Sequence, residues 1–161
     1  MKSNYYKYLS IICLLIGTVI NVYGQQPQST TLQSNPWTST QLLPPSALMT
    51  MMKTGKVLLL YNIGVAEDIQ GSIPIGAASK AEKLALFIKA IKSTPKDKTV
   101  VIYCGCCPMD KCPNIRPAFQ ALKNEKITKA YLLYLPTNLK TDWTGKGFPL
   151  AKTQVPGGSS K

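Results

Sequence analysis

Four of the five cysteines of this chain fall in one stretch, Tyr103-Cys104-Gly105-Cys106-Cys107-Pro108-Met109-Asp110-Lys111-Cys112-Pro113-Asn114-Ile115-Arg116. Arg116 is the single arginine, all other basic side chains are lysines, and there is no histidine. A thiolate is both a nucleophile and a soft-metal ligand. A planar guanidinium grips oxyanions through parallel hydrogen bonds. Thiols followed by a lone arginine therefore predict chemistry on sulfur with an anionic reactant.

The flanking residues must position that loop. Thr99-Val100-Val101-Ile102-Tyr103 is a continuous apolar run, the pattern of a strand buried on both faces, and it leads directly into Cys104. Val57 to Tyr61 and Ala130 to Leu135 have the same character. Between them lie helical patterns. Ser46 to Lys53 is a short helix entered through Pro44-Pro45. Leu84, Phe87, Ile88 and Ile91 form a core-facing stripe, with Ser79 and Glu82 spaced as a capping box. Ile115 to Asn124 is a further helix, with Ile115, Phe119 and Leu122 inward, Asn114 as N-cap and Pro117 tolerated in the first turn. Strands alternating with helices predict an α/β fold, a central parallel sheet flanked by helices on both faces.

In such sheets the working crevice lies beyond the carboxyl ends of the strands, where Cys104 falls. The amides of Gly105, Cys106 and Cys107 can form an anion nest that lowers a thiol pKa. Lys111 adds long-range attraction, although a solvated loop lysine is the plainer reading. Strand alternation turns Tyr103 away from Cys104. Trp37 and Trp143 read as packing aromatics, and Met49 and Met52 as core filling.

The chain has 161 residues and a formal charge of +12, with lysines scattered rather than clustered. Near-absence of arginine and the lack of a basic helix argue against nucleic acid as a partner. Lys2 and Lys7 flank an apolar run from Tyr8 to Ile20 that is too short to span a bilayer. The pattern is that of a secretory signal over residues 1–24, so the mature protein is expected to be exported, periplasmic or secreted, without stable membrane insertion. Residues 25–36 read as a disordered spacer, 37–152 as the folded domain and 153–161 as a flexible tail.

Strand, cysteine, loop, arginine, helix resembles the active-site order of rhodanese-like domains. Gly71-Ser72-Ile73-Pro74-Ile75-Gly76-Ala77 is similar to that family's Gly-His-Ile-Pro-Gly-Ala turn, with Ser72 for the histidine and Ile75 inserted. Leu60-Tyr61-Asn62-Ile63-Gly64 stands where the family's strand ends in Asp-Val-Arg. Leu139 to Trp143 and Gly147-Phe148-Pro149-Leu150 resemble its closing segment. The resemblance implies a sheet of about five parallel strands and a sulfurtransferase or persulfide carrier. Cys104 is then the nucleophile and Arg116 the anion clamp. A small anionic sulfur donor and a thiol acceptor are the partners, with no cofactor and no metal ligand assigned. The loop departs from the family's single cysteine followed closely by arginine, so Cys112 is the alternative nucleophile.

Two other classes use the same residues. The four cysteines could gather around copper or zinc, although zinc ligands usually come in pairs from two knuckles and these share one loop. Cys104 and Cys107 have the spacing of a thiol–disulfide oxidoreductase. A Cys107–Cys112 disulfide would be a structural use of the outer thiols.

Overall fold

A computed structural model describes residues 35–56 and 58–152. The expected signal peptide, most of the spacer and the expected tail lie outside the described residues. Five strands form one parallel sheet: β1 (Leu42–Leu43), β2 (Leu58–Asn62), β3 (Ile73–Pro74), β4 (Thr99–Tyr103) and β5 (Lys129–Leu133), in the order β1-β5-β4-β2-β3. Among the described residues four α-helices accompany it: α1 (Pro45–Lys53), α2 (Ala81–Lys92), α3 (Ile115–Asn124) and α4 (Leu139–Asp142). Among the described residues no helix is long and apolar enough to cross a membrane.

The central strand β4 shows why the sheet forms here. Val100, Ile102 and Cys104 join one core cluster with Phe87 and Ile91 of α2 and Ala118, Phe119 and Leu122 of α3. Val101 and Tyr103 join a second with Leu48 of α1, Leu139 of α4 and Trp143. Period-two alternation thus feeds two apolar layers, so the helices cover both faces. Each fully buried large apolar side chain contributes roughly 1.5–3 kcal/mol relative to exposure.

That scale explains where local signals were overridden. Helix α2 begins at Ala81 with Lys80 as its N-cap and no side-chain cap, so the expected Ser79/Glu82 capping box does not form. A missing cap costs about 1 kcal/mol, less than burying Phe87 and Ile91 contributes. Instead the Ser79 amide donates to Asn114 Oδ1 at 2.9 Å. The Gly71–Ala77 turn contains a strand, β3. It is an exposed edge, where Pro74 leaves no sheet partner unsatisfied. Trp37 and Trp143 are buried packing residues, Trp37 edge-on to Phe119 at 5.7 Å.

Tyr103 points away from Cys104, as alternation requires. Its hydroxyl accepts from the Ile69 amide at 2.8 Å and lies 3.0 Å from Ser72 Oγ. Burial, ahead of smaller effects, pushes its phenol up to about 12 from an ordinary 10.0. Below pH 10 the phenol is neutral folded and unfolded, so its contribution is complete. Between 10 and 12 only the unfolded phenol ionises, and stability falls by about 1.4 kcal/mol per pH unit from this group. Tyr103→Phe should show a shallower loss by that amount in urea titrations across this window. Equal slopes would mean the phenol is not protected.

Candidate functional site

Strand β4 ends at Tyr103, and Cys104 leaves the sheet at its carboxyl end. Cys104 is 2% exposed. Gly105 follows with φ +72, and a Cβ there would lie 2.8 Å from Leu139 Cβ, so only glycine fits. Its carbonyl accepts from the Leu139 amide at 2.9 Å, tying the loop to α4. The chain then reverses through a 3-10 turn at Met109–Lys111, closed by bonds from the Lys111 amide to Pro108 and the Cys112 amide to Met109.

This reversal brings Cys112 back over the loop's beginning. The Sγ atoms of Cys104, Cys106, Cys107 and Cys112 all lie within 4.8 Å of one another. Cys104 and Cys106 are 3.1 Å apart, and Cys106 and Cys107 3.5 Å. The four cysteines are free thiols in this structure. Cys104 and Cys112 are buried, Cys107 is half-buried and Cys106 is exposed.

The thiols differ electrostatically. The hydrogen bond with Cys112, then burial, pushes the Cys104 thiol well above its ordinary value. Cys112 is the acceptor of that pair. The Cys104 hydrogen bond and the amides of Asn114 and Ile115 bring it down to about 5, against the opposing effect of burial. Burial, with the neighbouring thiols, pushes Cys107 up to about 12. The amides at Cys112 thus favour negative charge on its sulfur, and burial opposes it at Cys104.

The Arg116 guanidinium is held beside the thiol cluster by other partners. Its guanidinium donates to the Asp110 carbonyl at 3.3 Å and to Asn35 Oδ1 at 3.0 Å, and lies 5.9 Å from the Trp37 ring centroid. Its Nε is buried without a partner among the described residues. The arginine braces the far side of the loop against the start of the domain. Lys111 is exposed at the end of the 3-10 turn.

Three residues with no assigned role in the chemistry prove to shape the site. Asn114, expected as a helix cap, makes no side-chain cap bond. Its side chain donates to Cys104 Sγ at 3.2 Å and accepts from Ser79, linking the thiols to the loop before α2. Asn62 donates to the Ala66 carbonyl at 2.8 Å and to Asp68 Oδ1 at 3.0 Å, and accepts from the Gly64 amide at 3.1 Å. That holds Gly64 against Cys104, where an added Cβ would be 2.5 Å from Sγ. An asparagine closing the Val57–Tyr61 apolar run and a glycine two residues on are the signals the sequence offers.

These features define a class: an α/β protein with a five-stranded parallel sheet that carries a four-thiol cluster at the carboxyl end of its central strand. No protein-family model matches the chain, and no curated protein sequence matches it.

Proposed function

We propose that this protein binds a thiophilic metal ion through Cys104, Cys106, Cys107 and Cys112. The observation that carries the reading is the convergence of four Sγ atoms within 4.8 Å. A tetrahedron with metal–sulfur bonds of ~2.3 Å has edges of roughly 3.8 Å, so small rotations of these side chains enclose one ion. Four thiolate ligands in tetrahedral array suit Zn2+ first, with Cu+ sharing the same soft-ligand chemistry. The loop is braced by Arg116, Gly105 and Asn114, which favours a cage already close to its bound shape.

The test is metal content of the full chain, purified under reducing, chelator-free conditions. About one zinc or copper per chain is expected, and the metal found decides between them. A reduced protein that contains no metal and takes up neither Zn2+ nor Cu+ overturns the proposal. Asn114→Ala should lower affinity roughly 10–100-fold, as loss of a ligand's supporting hydrogen bond does. An unchanged affinity in a chelator competition would remove Asn114 from the site.

A second reading is sulfur transfer, the activity implied by the rhodanese-like resemblance. It is favoured by the loop's place beyond β4 and by the amides of Asn114 and Ile115 directed at Cys112. In that chemistry a thiolate attacks the outer sulfur of thiosulfate, the S–S bond breaks, and sulfite leaves with the electron pair. Cys104 and Cys112 are both buried, so burial does not separate them, and the backbone amides of Asn114 and Ile115 beside Cys112 make it the nucleophile of this reading. Intact mass after exposure to thiosulfate should show one added sulfur, lost in Cys112→Ser. No adduct on the metal-free protein excludes this donor.

A further inference from the structure

The four thiols are unequal in a way that bears on how a metal would enter and leave. Cys104 and Cys112 are sealed in the core, while Cys106 is exposed. Cys106 also forms part of the wall of a cleft of about 360 Å3, with Val65, Glu67, Asn138, Leu139 and Lys140 around it. The cleft is open to solvent rather than enclosed, so a ligand there would be held at its charged ends.

The cleft wall has a distinct chemistry. Glu67 and Lys140 are both exposed and of opposite sign. The one ion pair among the described residues is Lys96 with Glu125, so Glu67 and Lys140 keep their charges available. Val65 is 75% exposed and offers an apolar surface beside them. One anionic contact, one cationic contact, an apolar patch and a thiol match a small zwitterion carrying its own sulfur.

We propose that this cleft binds a small amino-acid thiol, of which cysteine is the simplest, and that the bound thiol exchanges with Cys106 as a metal ligand. This rests on the metal-binding reading. Lys140 takes the ligand's carboxylate and Glu67 its ammonium group. The incoming S–H gives up its proton as its sulfur bonds to the metal. The Cys106–metal bond breaks, and the Cys106 thiolate takes a proton. No electron changes hands and the metal keeps its charge. Cys104 and Cys112 remain bound throughout, because they are fixed in the core. The domain then hands its metal to, or receives it from, a pool of small thiols.

The experiment has two arms on the full, reduced chain. In the first, the protein carrying one Zn2+ is mixed with a chromophoric zinc chelator and either L-cysteine or 2-mercaptoethanol. L-Cysteine should speed zinc release at least tenfold more than mercaptoethanol, with saturation. Glu67→Gln and Lys140→Gln should each remove that advantage while leaving the mercaptoethanol rate unchanged. In the second arm the metal-free protein is titrated with S-methyl-L-cysteine, which cannot ligate as a thiolate. Amide chemical shifts should move at Val65, Glu67, Asn138 and Lys140. Release that is linear and equal for both thiols, or shifts absent from these amides, overturns the cleft assignment. Failure to load zinc or copper instead overturns the metal reading, whatever the second arm shows.

Discussion

Cys112→Ser should abolish stoichiometric metal binding. Cys112 is wholly buried where the loop closes onto α3, and the Asn114 and Ile115 amides are directed at its sulfur. A serine hydroxyl stays protonated at neutral pH and is a poor ligand for a soft ion. The loss in Zn2+ affinity should therefore exceed the roughly 100-fold upper range for removing a merely supporting residue. Because binding to the folded state alone stabilises it, zinc at about 100 times its Kd adds roughly 2.7 kcal/mol to the wild type. Zinc should raise the wild-type melting temperature and leave that of Cys112→Ser unchanged. Cys106→Ser, at the exposed position, should weaken binding less. A Cys112→Ser protein that retains one zinc with wild-type affinity would remove Cys112 from the ligand set.

Gly64→Ala should be the most damaging single methyl group in the domain. Its Cβ would lie 2.5 Å from Cys104 Sγ, 2.8 Å from the Cys104 carbonyl oxygen and 3.1 Å from its Cα. Two of these are backbone atoms at the end of the central strand, so no side-chain rotation relieves the contact. Gly64 in turn is tethered through Asn62 and cannot drift outward. Overpacking of this kind costs about 1–3 kcal/mol, and the upper end is expected here. The same displacement shifts Cys104 from the other thiols, so zinc affinity should fall with stability. Urea unfolding in the presence of a chelator isolates the structural cost from the metal effect. A change below about 0.5 kcal/mol, within the range of inert surface substitutions, would show that the loop yields freely.

Much of the scaffold was legible before any coordinates. The Thr99–Tyr103 strand and the Ile115–Asn124 helix match their expected bounds, because long apolar runs and a 3.6-residue stripe report burial directly. The short strands β1 and β3 were not legible. Two-residue pairings carry no periodicity and exist only because neighbouring strands offer hydrogen bonds. The capping box at Ser79 failed because a distant residue, Asn114, holds that segment. The sequence places Asn114 at its own helix end, the local option, whereas its side chain bonds to Cys104 and Ser79.

The site divides in the same way. Composition and spacing put four thiols in one loop at the end of a buried strand, and this is chain-local information. Which of them are sealed and what Arg116 holds depend on a chain reversal at Met109–Lys111 and on contacts with Gly64, Leu139 and Asn35. Those partners lie tens of residues away in sequence. The amino-acid order by itself determined an α/β scaffold with sulfur at its working edge. Only the tertiary structure decided that the four sulfurs face one another, because side-chain distance across a folded loop is set by packing against other elements rather than by separation along the chain.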